Sequence, residues 1–242
     1  MLNRTREFAF DSVLDVGCGA GELALALARG RPHSRIIGVD ISPQLIATAI
    51  ERGSHLANAA FAVADAASWS PEAGFVPDLL VSRHGVMFFA DAPGAFAHLA
   101  QVAAPGAGLL FSCFRDPASN PLFSEVARLL PEAPPAGDPH APGPFAFADP
   151  AYVEVLLRGA GWDAVAFEPF DLAMIVGAGA DPVEDALAYF SAIGPAARAA
   201  EDLPPEQRER LFDGLRNLAR RHQLDGMVAL RAATWIVTAH KA

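Results

Sequence analysis

The first half of the chain alternates between short apolar runs and longer segments with helical periodicity. Runs rich in Val, Ile, Leu and Phe, bounded by Gly, Pro or Asp, predict β-strands. They lie at about 12–16, 35–40, 61–63, 78–82 and 108–114. Between them, Leu, Ile and Ala spaced three or four residues apart predict helices at about 20–29, 43–53 and 93–103. Strands that alternate with helices are typical of a parallel sheet, so the pattern predicts an α/β fold.

The second half continues this pattern but carries two long connections. The first, 115–150, is rich in proline and includes a possible helix at 119–130. The second, 177–230, is predicted to hold helices at 183–193 and 205–223. The remaining elements are a helix at 150–159 and strands at 163–170 and 232–240. Because connections of this length in a compact domain are usually functional or disordered, we predict a single domain (1–242) with seven strands, a core at 12–115 and two insertions that form a substrate lid.

A glycine-rich turn follows the first strand and contains Gly17, Cys18, Gly19 and Gly21. Glycine accepts positive φ, and its missing side chain lets the backbone approach a ligand closely. The helix that follows leaves backbone N–H groups free for ligand oxygens. A dinucleotide-binding turn would have a glycine at the position of Glu22. With that carboxylate and with Asp15 at the strand end, the turn favours a cationic ligand over a pyrophosphate.

Composition and charge narrow the class of protein. The 242 residues carry a formal charge of −10 with scattered Lys and Arg, so we expect no nucleic-acid partner. The two cysteines form no CxxC pair, which favours a reducing compartment and no metal site. The first residues do not read as a signal peptide, and no apolar stretch is long enough to span a bilayer. We therefore predict a cytoplasmic protein without a membrane partner.

Several short motifs in register resemble those of the class I S-adenosylmethionine-dependent methyltransferases. The chain is similar to the small-molecule branch with ubiquinone/menaquinone- and trans-aconitate-type enzymes, over about 12–115 and more weakly to the final strand. The resemblance implies a Rossmann-like, doubly wound, mostly parallel sheet of order 3-2-1-4-5-7-6 with the last strand in sequence antiparallel. The motifs are Leu14 to Gly21, Gly38 to Ser42, Ala64 to Ala66, Asp78 to Ser82 and Ala104 to Gly108.

The resemblance also implies a cofactor, S-adenosylmethionine, with S-adenosylhomocysteine as product, and a role for each motif residue. Asp40 would accept from both ribose hydroxyls, since a carboxylate suits a diol. The adenine would pack on Ile41, with Asp65 and the Ala66 N–H at its edge. The methionine part would lie along Asp15, Gly17, Cys18, Gly19, Gly21, Ser82 and Arg83.

His84 is the candidate general base. It follows the fourth strand, whose carboxyl end should face the cleft, and histidine titrates near neutrality. The alternative is a histidine packed beside the cofactor or bonded to backbone. Aromatic residues predict an apolar acceptor pocket, although an insertion core is an equal interpretation. These residues are Phe88, Phe89, Phe114, Phe145, Phe147 and Tyr189.

The predicted function is methyl transfer to a small apolar or aromatic molecule by in-line displacement. One alternative is a catalytically silent cofactor-binding module or assembly partner, and a remote one is an NAD-dependent oxidoreductase, which Glu22 disfavours. Only about a dozen residues precede the first strand, where relatives usually carry a helical cover. The cover would then come from the insertions or a neighbouring subunit, or the sequence begins late. We expect a monomer or a homodimer, and no motif identifies the acceptor or the methylated atom.

Overall fold

The computed structural model describes residues 1–131, 137–192 and 195–242. The chain divides into two compact units. The first unit consists of Met1–Cys113, Pro139–Pro169 and Trp235–Ala242, and the second of Phe114–Asp138 and Phe170–Thr234. Most residues of the two predicted insertions belong to the second unit, whereas residues 139–150 belong to the first unit. The lid function of the insertions stays a prediction.

Eight strands and eight α-helices make up the described part of the chain. The strands are β1 (Ser12–Val16), β2 (Arg35–Asp40), β3 (Ala59–Val63), β4 (Leu79–Arg83), β5 (Gly108–Phe114), β6 (Trp162–Gly177), β7 (Gln223–Leu224) and β8 (Met227–Lys241). The helices are α1 (Glu22–Gly30), α2 (Pro43–Gly53), α3 (Ala92–Val102), α4 (Pro121–Ala127), α5 (Pro150–Gly159), α6 (Pro182–Ala192), α7 (Pro195–Asp202) and α8 (Pro205–Arg221). Short 3-10 turns lie at Arg4–Glu7, Val86–Phe88 and Pro117–Ser119.

The strands form one sheet of order β3-β2-β1-β4-β5-β8-β6, with the short β7 paired to β8. The predicted order is confirmed, the predicted last strand being β8. β1 is central, since it pairs in parallel with β2 on one side and with β4 on the other. The carboxyl ends of these three strands therefore lie at one edge of the sheet, where α/β proteins bind their ligands.

Local sequence explains where the helices of the first unit begin. The Ser42 Oγ accepts from the Leu45 N–H at 3.3 Å, and Pro43 takes the first helical position of α2. Asp149 and Pro150 start α5 in the same way, with a 2.9 Å bond from the Ala151 N–H. The core of this unit contains fully buried strand residues on both faces of the sheet, among them Val13, Leu14, Leu79 and Leu80.

The second unit has its own apolar core. α8 buries Leu211, Leu215 and Leu218, which are spaced to lie on one face of a helix. They belong to one cluster with Phe190 of α6 and Val228 of β8. Each unit therefore has an apolar core of its own.

Some predicted elements differ from the structure, mainly in the second unit. β6 continues to Gly177, well past the predicted end at 170. Most of the residues from 170 to 175 are exposed, and they show no strict apolar alternation that would have predicted this extension. β8 begins at Met227, before the predicted start at 232, and β7 raises the strand number from seven to eight. The helix predicted at 119–130 is the shorter α4, and α7 was not predicted. The predicted helix end Ile193 and part of the proline-rich stretch, 132–136, lie outside the described residues.

Candidate cofactor-binding site

An open cavity of about 810 Å³ lies in the first unit at the carboxyl ends of β1, β2 and β4. The segment after β3 and the start of α3 complete its wall. This volume is within the range of small-molecule and cofactor sites. The lining residues are Val16, Gly17, Val39, Asp40, Ile41, Ala64, Asp65, Ala66, Ala67, His84, Gly85, Phe88, Phe89, Ala90, Asp91, Gly94 and Ala95.

The glycine turn between β1 and α1 adopts a conformation that side chains would oppose. Gly17, Gly19 and Gly21 have φ values of 64°, 56° and 81°. A Cβ on Gly17 would lie 3.0 Å from the Gly85 Cα, so the turns after β1 and β4 are in backbone contact. A Cβ on Gly19 would meet nothing within 4 Å and would extend into open space. The turn thus leaves room for a ligand beside the start of α1.

Asp40, at the end of β2, ties the glycine turn to the sheet. One carboxylate oxygen accepts from the Gly19 N–H and the other from the Ser42 N–H, each at 2.9 Å. A carboxylate offers about four acceptor positions, so roughly two remain for a ligand. Asp40 lines the cavity and is half-buried. Its remaining acceptor capacity fits a vicinal diol such as a ribose.

Asp15 lies below the glycine turn and does not line the cavity. Its side chain is 1% exposed, and its Oδ2 accepts from the Ala24 N–H of α1 at 3.0 Å. The other oxygen, Oδ1, has no hydrogen-bond partner among the described residues. Burial raises the pKa of this carboxyl to about 7, although the Ala24 N–H and the Arg83 charge oppose the shift. Asp15 therefore joins β1 to α1 across the turn.

His84 lines the cavity immediately after β4. Its φ of 61° is unusual for a residue with a side chain and marks local backbone strain. Burial, with the Arg83 charge as a smaller cause, lowers the pKa of the imidazole to about 4. The imidazole is therefore neutral at pH 7. The Ser82 Oγ accepts from the Gly85 and Val86 N–H groups at 3.2 Å and holds the turn that presents His84.

Large apolar side chains at the cavity are exposed in a way that a bound ligand would cover. Ile41 is 75% exposed and Phe88 is 50% exposed. Asp65, also in the lining, accepts from the Ala67 N–H at 2.9 Å and fixes the turn that carries Ala66. The cavity thus has an apolar surface with carboxylates at defined positions, which suits a ligand that is part ring and part polar chain.

The structure brings together one part of the predicted site set. Eight of these residues line the cavity: Gly17, Asp40, Ile41, Asp65, Ala66, His84, Phe88 and Phe89. The others that belong to the turns around it, without lining it, are Asp15, Cys18, Gly19, Gly21, Ser82 and Arg83. Cys18 is buried, and desolvation raises the pKa of its thiol far above the usual range.

The remaining predicted pocket aromatics lie elsewhere. Phe147 is 1% exposed and packs against Phe96 and Phe111 in the core of the first unit. Phe145 is half-buried and outside the lining. Phe114 and Tyr189 belong to the second unit, and their part in an acceptor pocket stays a prediction.

Among the lining residues that the sequence did not predict, Gly85 and Asp91 have clear structural roles. Gly85 meets the Val16 carbonyl so closely that a Cβ would lie 2.8 Å from the oxygen. Asp91 lines the cavity and caps α3 by accepting from the Gly94 N–H at 3.1 Å. The pattern Asp91-Ala92-Pro93 is a helix-start signal that could have identified it. Gly85 had only its position after a strand end as a signal.

No three His, Cys, Asp or Glu side chains in the described ranges are placed to hold a metal ion. Within those same ranges, no helix combines the length and the apolar character needed to cross a bilayer.

The strand order and the glycine turn define a class I methyltransferase fold, and the comparisons with known proteins agree. Residues 13–106 match the family described as "Methyltransferase domain". The part of the chain from 13 to 106 is therefore similar to this family, and the predicted resemblance to the class I S-adenosylmethionine-dependent methyltransferases is confirmed.

Three known proteins illustrate the similarity to methyltransferases and to their fold. A trans-aconitate 2-methyltransferase of Methylobacterium radiotolerans is 35% identical over 133 residues, which is 54% of this chain and 49% of that relative. The crystal structure of the YcgJ protein of Bacillus subtilis has a TM-score of 0.60 and 17% identity, covering 96% of this chain and 92% of that one. A phosphoethanolamine N-methyltransferase of Haemonchus contortus, in complex with phosphomonomethylethanolamine and S-adenosylhomocysteine, has a TM-score of 0.57 and 17% identity, covering 99% and 51%.

The extent of these matches limits what they show about this chain. The chain spans about half the length of the curated relatives it matches. The solved structures, at their low identity, show the fold alone.

Proposed function

We propose that the protein is an S-adenosylmethionine-dependent methyltransferase and that the cavity of the first unit binds the methyl donor. The observation that carries this proposal is the position and the hydrogen bonding of Asp40. It stands at the end of β2, faces the cavity and keeps acceptor capacity for a diol after bonding the Gly19 and Ser42 N–H groups. The methyltransferase family match at 13–106 supports the same function, and the Haemonchus contortus neighbour of the same fold holds S-adenosylhomocysteine.

Each part of the donor has residues suited to it. Ile41 offers an exposed apolar surface for the adenine, and Asp65 with the Ala66 N–H offers an acceptor and a donor for its edge. The glycine turn gives the amino-acid part room for close backbone contact at Gly17 and Gly19. When bound, the cofactor supplies a methyl group on a positively charged sulfur, which is already activated for displacement.

His84 is suited to orient the acceptor and receive its proton. At pH 7 the imidazole is neutral, because its pKa is near 4, so it can accept a proton. The same low pKa makes it a weak base. Its contribution would therefore be greatest for an acceptor that loses its proton as the methyl group is transferred. The adjacent positive charge of a bound donor would keep the imidazole neutral.

The acceptor is a small molecule with an apolar or aromatic part. Phe88, Phe89 and Ala90 form an apolar part of the cavity wall next to His84. Phe88 is half exposed and offers a ring for stacking. The trans-aconitate relative is matched over half its length, so its acceptor is not carried over to this chain.

Transfer of a labelled methyl group tests the proposal. The protein is incubated with S-adenosylmethionine labelled in its methyl group and with panels of phenols, thiols, amines and carboxylic acids. We expect a labelled product and an equal amount of S-adenosylhomocysteine for at least one aromatic or apolar class, and loss of both with the Asp40→Ala variant. A protein that binds the donor and labels nothing in the panel or in a small-molecule extract would instead be a silent binding module.

A further inference from the structure

Asp15 carries a carboxyl group that neither lines the cavity nor reaches solvent. It is 1% exposed, in the middle of the sheet, between Gly38 of β2 and Val81 of β4. Its Oδ2 is bonded to the Ala24 N–H, whereas Oδ1 has no partner among the described residues. A buried carboxylate with an oxygen unsatisfied is costly when ionised and much less so when protonated.

Burial is the main cause of the raised pKa of this carboxyl, and the neighbouring charges modify that shift. On β4, Arg83 favours the ionised form, and on β2, Asp40 disfavours it. On the glycine turn, Cys18 remains a neutral thiol. On α1, Glu22 is exposed and paired with Arg52 at 2.6 Å. Burial together with these charges places the pKa of Asp15 at about 7, so a single added charge nearby changes its protonation at physiological pH.

We propose that Asp15 is a positioning residue whose ionisation is coupled to the charge of the methyl donor. Binding of the positively charged S-adenosylmethionine draws a proton from the Asp15 carboxyl to solvent. The resulting carboxylate holds the Ala24 N–H more strongly and fixes α1 against the glycine turn. S-adenosylhomocysteine has the same amino and carboxyl groups but a neutral sulfur, so it draws the proton less. The inference rests on the proposed function of the cavity.

The linkage has a definite sign. A donor complex that holds fewer protons than the free protein gains affinity as the pH rises. If the bound donor lowers the pKa of Asp15 from about 7 by one to two units, its affinity rises roughly fivefold to tenfold between pH 6 and pH 8. The affinity for S-adenosylhomocysteine rises less. The site would therefore favour donor over product most strongly at alkaline pH.

Calorimetric titration of the whole chain tests this. S-adenosylmethionine and S-adenosylhomocysteine are each titrated at pH 6, 7 and 8, in phosphate and in Tris, whose different ionisation enthalpies report proton release. We expect up to roughly half a proton released at pH 7 for the donor and clearly less for the product. Asp15→Asn should remove the difference between the ligands in both proton release and pH dependence, while exposed Asp163→Asn, outside the cavity, should keep it.

Each outcome of the titrations supports or overturns a specific claim. Equal proton release for the two ligands by the unmodified protein overturns the coupling, even if Asp15→Asn fails to fold. Unchanged pH dependence in folded Asp15→Asn also overturns it. Failure of both ligands to bind at any pH refutes the proposed function instead, so the two failures are distinguishable.

Discussion

Replacing Asp15 by Asn should change how the stability of the protein depends on pH. The carboxyl is fully buried, and its pKa is raised from 3.8 to about 7. Between these values the folded state holds more protons than the unfolded state, so the free energy of unfolding falls as the pH rises. The stabilisation that the bound proton of Asp15 gives the folded state is complete below about pH 4 and is lost as the pH rises through 7. A shift of this size corresponds to about 4 kcal/mol over the whole range, and to roughly 2–3 kcal/mol between pH 5 and pH 8.

The assay is urea unfolding followed by tryptophan fluorescence. Trp69, Trp162 and Trp235 all belong to the first unit, so their signal reports on the unit that contains Asp15. Asp15→Asn keeps the size of the side chain and an oxygen for the Ala24 N–H but cannot ionise. Relative to the unmodified protein, the variant should gain roughly 2–3 kcal/mol between pH 5 and pH 8. Asp163→Asn, an exposed control, should show no such gain. A stability difference between Asp15→Asn and the unmodified protein that is equal at both pH values would refute the reasoning.

Three further predictions concern the cavity. Gly85→Ala places a Cβ 2.8 Å from the Val16 carbonyl oxygen and should cost about 1–3 kcal/mol in urea unfolding, whereas Gly30→Ala, with open space around it in α1, should be neutral or stabilising. Asp40→Ala should weaken S-adenosylhomocysteine binding about 10- to 100-fold by calorimetry, because it removes hydrogen bonds to a charged acceptor; unchanged affinity would exclude Asp40 from the site. His84→Asn, in which the new residue tolerates the positive φ, should lower kcat about 100-fold for a hydroxyl acceptor with little change in donor Kd. The methyl-transfer rate of the unmodified protein should show no titration of His84 between pH 6 and pH 8, because the pKa of its imidazole is about 4.

The elements of the first unit could be predicted where the sequence has strong local signals. Ser42 and Pro43 start α2 by capping, and Val13, Leu14 and Val16 form a short apolar strand before a glycine turn. The second half of β6 could not be predicted, because residues 170–175 are mostly exposed and show no strict alternation of apolar and polar side chains. β7 has only two residues and depends on its pairing with β8.

The candidate site could be predicted where a role follows from position at a strand end. Asp40 and His84 line the cavity because β2 and β4 end there. Asp15 also ends a strand region, but its side chain bonds the Ala24 N–H below the turn, and strand position does not reveal that direction. The aromatics at 114, 147 and 189 carry a composition signal that cannot distinguish a pocket from a core, and Phe147 is in the core.

Titration of S-adenosylhomocysteine into the purified protein tests the central claim most directly, because the cavity in the first unit is proposed to bind this cofactor pair. Calorimetry at pH 7 should give one bound molecule per chain, with affinity strongly reduced in Asp40→Ala and retained in Asp163→Asn. No heat of binding by the unmodified protein, together with a rise in its melting temperature on addition of NAD, would contradict the account.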